Sequence, residues 1–291
     1  MGKRDFCFYF LKEGTRTYEQ SDLMTLLLSN PNITGPDSNL STTEENIFIY
    51  HHQTLNFEAQ FIMANKSVIP NLERLEAKYF DVNFYVKFDI LTSNYALEII
   101  LDVIEEIVKK FRFFIYNEAL NNIQPFRRAV MIKVFTAWKN AFAAKFPDQV
   151  AEYNFLDPQA YSQVSSYLQK RKRLELTIGA SKVVVSNYIF YKSNKSRSAY
   201  VAIKWDGEKS FILPPSVDVF YLDDGKLQRF ISMKEILSKT DKLFRPLDGY
   251  GEIEILDAKN VKKFHKFLVK ERFAPLGTKL EFLSLEKILD V

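Results

Sequence analysis

VNFYVKFDILTSNYALEIILDVIEEIVKKFRFFIY, residues 82–116, carries two periodicities in succession. In Val82–Leu91, Phe84, Val86 and Phe88 share one side of an alternating pattern, the period of a strand with a buried face. From Asn94 to Phe111 the period lengthens. Leu97, Ile100, Leu101, Ile104, Ile107, Val108 and Phe111 recur at helical spacing, with Glu98, Asp102, Glu105, Glu106 and Lys109 opposite them. Phe113–Tyr116 then reads as another strand. Strand, helix and strand in this order predict a sheet with its helices on one side.

Upstream the same alternation of elements continues. Phe6–Leu11 reads as a strand, and Tyr18–Leu28 as a helix ending in Ser29-Asn30-Pro31. Pro31–Thr43 is a polar loop with Gly35-Pro36 at its middle. Asn46–His51 and Phe57–Ala64 read as paired strands. The expectation for residues 1–120 is a ferredoxin-like plait with an extra strand.

Downstream, Phe126–Phe146 places Phe126, Val130, Val134, Trp138 and Phe142 at i,i+4 spacing, and Pro147 ends it. Asp157-Pro158 is a helix start, with Asp as N-cap and Pro at the first helical position. That helix is expected to run to about Arg173. From Lys182 the pattern becomes strand-like: Val183–Tyr191, Ala199–Trp205, Ser210–Leu213, Val217–Leu222 and Leu227–Ile231. Asp206-Gly207 and Asp224-Gly225 are hairpin signals between apolar runs. A helix over Met233–Lys239, a strand over Glu252–Leu256, a helix over Ala258–Arg272 and a strand near Lys279–Leu283 complete the chain. The expected class is α+β. Residues 1–120 form a sheet domain and 121–177 a helical connector. Residues 178–291 form an antiparallel β meander with covering helices.

At 291 residues the chain has room for two domains. Its 26 Phe and 15 Tyr supply ample core material. Residues 1–120 carry a net charge of −6 and residues 121–291 one of +10, which suggests two surfaces of different character. Cys7 is the single cysteine, so the chain makes no internal disulfide and no cysteine zinc site. Set within Phe6–Phe10, it reads as a small buried hydrophobe. No apolar run reaches the roughly 18 residues of a membrane span. The run 6–11 is too short for a signal peptide, and Phe6 stands where a myristoylation motif has Ser or Thr. A cytoplasmic location is expected.

The catalytic inventory is thin. No Gly-rich loop opens a helix, so phosphate-cradling and dinucleotide fingerprints are missing, as is a nucleophile elbow. No cofactor is called for. His51-His52 would place its two rings on opposite faces of a strand, which suits one metal ion poorly. His265, among Lys262, Lys263 and Lys266, reads as solvated. Asp257-Ala258-Lys259 has the spacing of a metal-nuclease motif, with Asp248 or Asp241 upstream and Glu254 beside it. Asp257 also stands where the following helix takes an N-cap.

The most suggestive feature is residues 165–210, with a net charge of +7. Lys170, Arg171, Lys172, Arg173, Lys192, Lys195 and Arg197 interleave with Tyr188, Phe190, Tyr191, Tyr200 and Trp205 there. Such a mixture suits phosphate contacts with base stacking. The plainer reading puts Lys170–Arg173 at a helix C-terminus and the aromatics in the core. Three functions follow in order. The first is a non-catalytic module for a protein partner, inhibitor- or immunity-like. The second is a nucleic-acid-binding protein using 165–210. The third is a metal-dependent nuclease using Asp248, Glu254 and Asp257.

Overall fold

A computed structural model describes residues 4–14, 18–70, 76–120, 122–178 and 183–291, apart from the Asp241 side chain. The fold is mixed α and β, with its strands in several sheets. The chain divides into two compact units, Met1–Ala151 and Glu152–Val291. Among the described residues no helix is long and apolar enough to cross a membrane.

In the first unit, strand β1 (Asp5–Glu13) leads through helix α1 (Gln20–Ser29) to β2 (Ile33–Thr34), β3 (Glu45–His52), β4 (Phe57–Ala64) and β5 (Tyr79–Asp89). Helix α2 (Asn94–Phe111), β6 (Phe114–Tyr116), β7 (Gln124–Pro125) and helix α3 (Arg128–Lys145) follow. The sheet order is β2-β3-β4-β5-β1-β6-β7, and every pairing is antiparallel. The stretch β6-β1-β5-β4 has the strand order of a ferredoxin-like plait, with β5–α2–β6 straddling β1. The expected single extra strand is three. β2 and β3 widen one edge and β7 the other. Helix α2 begins where the sequence places it because Ser93 Oγ accepts from the Ala96 amide at 3.1 Å.

Alternation in β1 splits its side chains between two cores. Phe6, Phe8 and Phe10 are fully buried on one face, where Phe6 meets Phe135 of α3 at 5.1 Å in an edge-to-face contact. Tyr9 and Leu11 join Ile47, Ile62 and Tyr85 in a smaller cluster on the other face. The i,i+4 stripe expected for α3 is corrected. The helix buries Met131, Phe135, Lys139 and Phe142, while Trp138 is 43% exposed. The buried row is Met131, Phe135 and Lys139, one residue further along than expected, with Phe135 packed on Phe6 and Phe88.

In the second unit come β8 (Asn154–Phe155), helix α4 (Pro158–Ile178), β9 (Val184–Val185), β10 (Tyr188–Ser193), β11 (Ala199–Trp205), β12 (Phe211–Leu213), β13 (Val219–Asp223) and β14 (Gln228–Ser232). Helix α5 (Met233–Thr240), β15 (Phe244–Pro246), β16 (Glu254–Leu256), helix α6 (Val261–Lys270), β17 (Leu280–Leu283) and β18 (Ile288–Leu289) complete it. Asp157 starts α4 as expected: its Oδ1 accepts from the Gln159 and Ala160 amides at 2.9 and 3.1 Å.

The β-rich unit with covering helices stands as expected, but its strands do not run as one continuous meander. The strands divide into a curled five-stranded sheet, β14-β13-β11-β10-β17, and a four-stranded sheet, β15-β16-β12-β9. Because β12 leaves the first sheet, β11 and β13 pair in parallel. Pro214-Pro215 follows β12 directly and has no amide hydrogens to continue a ladder. Asp206-Gly207 therefore turns the chain from one sheet to the other. Asp223-Asp224-Gly225 does make the hairpin expected of it, between β13 and β14. Between the sheets lie Trp205, Phe211, Phe220, Phe244 and Phe264, packed ring to ring.

Candidate functional site

The register of the five-stranded sheet decides which aromatic residues meet solvent. Phe190 pairs with Val201 and Leu283, and all three enter the core. Their neighbours along each strand therefore point the other way. Tyr191 pairs with Tyr200 on one side and Phe282 on the other, and Tyr221 pairs with Phe230. These five rings lie on the face turned away from the core, joined by Ile189, Ala202 and Val219 at matching positions. Tyr221 and Phe230 stack at 4.4 Å, and Tyr191 meets Phe230 edge-on at 5.6 Å. Phe282, on edge strand β17, is 73% exposed. A cluster of this kind leaves apolar ring faces in water and gains free energy when a partner covers them.

Charges around this face are already balanced. Lys204 lies 2.7 Å from Asp223 and over the Tyr221 ring, while the Lys192–Glu281 pair, at 3.5 Å, belongs to the opposite side of the sheet. The Lys204 partner holds the Asp223 carboxyl below its ordinary pKa.

The five interleaved aromatics of 165–210 are sorted by the same register. Tyr188, Phe190 and Trp205 are core residues, and Tyr191 and Tyr200 are on the outer face. Sequence reasoning missed Tyr221, Phe230 and Phe282. Their signal was present in Val219–Leu222 and Leu280–Leu283, where side chains of both alternating sets include apolar groups.

The cations of 165–210 are not gathered on that face. Arg197 donates to the Tyr153 carbonyl at 2.9 Å and covers the Phe155 ring at 4.4 Å. Lys195 donates to the Gly277 carbonyl. Arg171 pairs with Glu175 at 2.6 Å. A phosphate binding these groups would displace partners they already hold. Lys170, Lys172 and Arg173 are exposed on α4. Helix α4 lies on the core side of the sheet, since its Tyr167 contacts Tyr188 at 5.1 Å. These residues are in the middle of the helix, which continues to Ile178, so the dipole reading for its C-terminus does not apply to them.

Of the carboxylates of the nuclease-like motif, Asp257 is held by another partner, and the Asp241 side chain lies outside the described residues. Asp257 forms a 2.8 Å ion pair with Arg245 and makes no side-chain cap hydrogen bond to the helical turn that follows, against the N-cap expectation. Glu254 lies in β16, and Asp248 in the turn before it. Among the described residues no group of three or more His, Cys, Asp or Glu side chains is placed to hold a metal ion. His51 reaches Glu58 at 3.1 Å, while His52 stacks on Phe57 at 5.2 Å, so the two rings part as a strand requires. His265 departs from expectation. It is half-buried, bonded to Asp224 and edge-on to Trp205.

Comparison of the chain with models of protein families, with curated proteins and with solved structures finds no match.

Proposed function

We propose that the protein is a non-catalytic binding module for another protein, docking through the outer aromatic face of the five-stranded sheet. The observation that carries this reading is Phe282, largely exposed beside Tyr191, Tyr221 and Phe230. Tyr and Phe at the centre of an interface supply most of its binding energy, with a polar rim around them. Lys204–Asp223 furnishes part of such a rim, and its neutral pairing favours an apolar protein surface over a polyanion. Strand β17 ends the sheet, so an extended segment of the partner adds beside it with its own apolar side chains against Phe282.

The test is affinity capture from source cells with the native chain and with a Tyr191→Ser, Phe230→Ser, Phe282→Ser variant. The variant is first shown to keep the native circular dichroism and melting profile. A protein captured by the native chain and lost from the variant supports the reading. Capture that is indifferent to the three changes overturns it.

A further inference from the structure

Helix α6 carries Lys262, Lys263, Lys266 and Lys270 within ten residues and has no acidic residue. Its apolar side, Val261, Phe264 and Leu268, is buried in the core of the second unit. The four lysines are exposed, and none holds a carboxylate among the described residues. Two of the acids near them are already committed. Glu271 pairs with Lys239 at 2.7 Å, and Asp224 bonds His265 at 2.8 Å. Beside the helix, Lys239, Lys242 and Lys263 line one cleft of about 440 Å³. Exposed positive charge is thus gathered on the solvent side of one helix. The outer aromatic face, by contrast, is electrically balanced.

We infer that α6 binds the phosphate backbone of a nucleic-acid duplex without regard to sequence, separately from the docking face proposed above. Several lysines on one helix suit a polyanion, where each neutralised phosphate releases a counterion. A lipid surface fits less well, because an interfacial helix inserts its apolar side and that of α6 is already buried. A single strand also fits less well. Stacking requires free ring faces, whereas Phe264 is enclosed and Phe267 is held edge-on by Phe273 at 5.5 Å. The exposed apolar residue of α6 is Val269, which offers no ring. The sequence pattern of α6 reads only as a solvated helix face. Its significance rests on Glu271 and Asp224 being held by Lys239 and His265, which is a tertiary fact.

The test measures binding of the full chain to duplex DNA and duplex RNA of one sequence, and to a scrambled duplex, across a salt series. Vesicles containing phosphatidylserine form a separate arm. Expected is binding to a duplex, equal for native and scrambled sequences. Its slope of log affinity against log salt is about −3.6 if all four lysines contact B-form DNA, and about 0.9 shallower for each lysine removed. Lys262→Gln, Lys263→Gln, Lys266→Gln, Lys270→Gln together should abolish binding while the fold is retained. Lys170→Gln, Lys172→Gln, Arg173→Gln should leave it within about threefold. The inference is overturned by failure to bind either duplex at low salt. Loss through the α4 changes in place of the α6 ones, or binding to the vesicles and not to a duplex, also overturns it. Tyr191→Ser, Phe230→Ser, Phe282→Ser is expected to bind duplex normally, so failure of this inference and failure of the docking reading are read separately.

Discussion

His265 Nε2 stands 2.8 Å from Asp224 Oδ2, and this pair joins the last helix of the second unit to the β13–β14 turn. Asp224 Oδ1 also accepts from the Leu227 amide at 2.8 Å and the Lys226 amide at 3.0 Å. The His265 contact foremost, then these amides, lowers the Asp224 pKa from its ordinary 3.8 to about 2. A carboxyl whose folded pKa is depressed stabilises the fold above its unfolded value and loses that contribution as pH falls through the folded one. Native protein should therefore melt higher than Asp224→Asn at pH 5–6. The gap should close as pH falls from about 4 to 2. A difference in melting temperature that stays constant across that window would contradict this.

Gly207 is fixed by the same contact. Its φ is +83°, and an added Cβ would lie 2.7 Å from the His265 ring. Gly207→Ala should lower stability by more than about 1 kcal/mol, through both backbone strain and displacement of His265 from Asp224. Chemical denaturation measures the loss. Combining it with Asp224→Asn should cost less than the two single losses together, since both act on one contact.

Cys7 should behave as a quiet thiol. Burial pushes its pKa from 9.0 to about 11. The thiolate fraction at pH 8 is then about a hundredfold lower than for an unshifted thiol, and alkylation slows, by less than that factor because a more basic thiolate is the better nucleophile. Denaturant should restore the ordinary rate. Cys7 is half-buried against the smaller cluster rather than fully enclosed, and labelling of the folded chain as fast as of the unfolded one would contradict this setting.

The register of helix α3 is tested by two substitutions three residues apart. Phe135 is fully buried against Phe6 and Phe88, so Phe135→Ala should cost about 3–5 kcal/mol. Trp138, 43% exposed, should cost less than half as much when changed to Ala. Equal losses would restore the stripe that sequence spacing alone suggests.

Local signals were readable wherever a local contact decides the structure. Helix α2 runs from Asn94 to Phe111 as its apolar spacing indicates, because Ser93 caps it and its seam is continuous. Asp157 opens α4 for the same reason. What the sequence withheld depends on partners distant along the chain. Asp206-Gly207 looks like any hairpin turn, yet β12 pairs with β16 and β9 in another sheet. The alternation of Tyr188 to Tyr191 is plain. Only pairing with β11 and β17 shows that Tyr191 faces outward among four other rings. The basic residues of 165–210 were visible as a group. Arg197 on the Tyr153 carbonyl and Arg171 on Glu175 show that a count of charges does not reveal which of them are engaged.

The most direct measurement of the docking face places a photoreactive side chain at position 282, at position 230 or at position 176 and identifies what is captured on irradiation in source cells. Leu176 is the control: it is 81% exposed, more than Phe282, but lies on α4, on the core side of the sheet. Expected is one protein cross-linked from both 282 and 230 and absent from 176. Cross-linking from 176 alone, or equally from all three, would contradict a partner seated on the aromatic face.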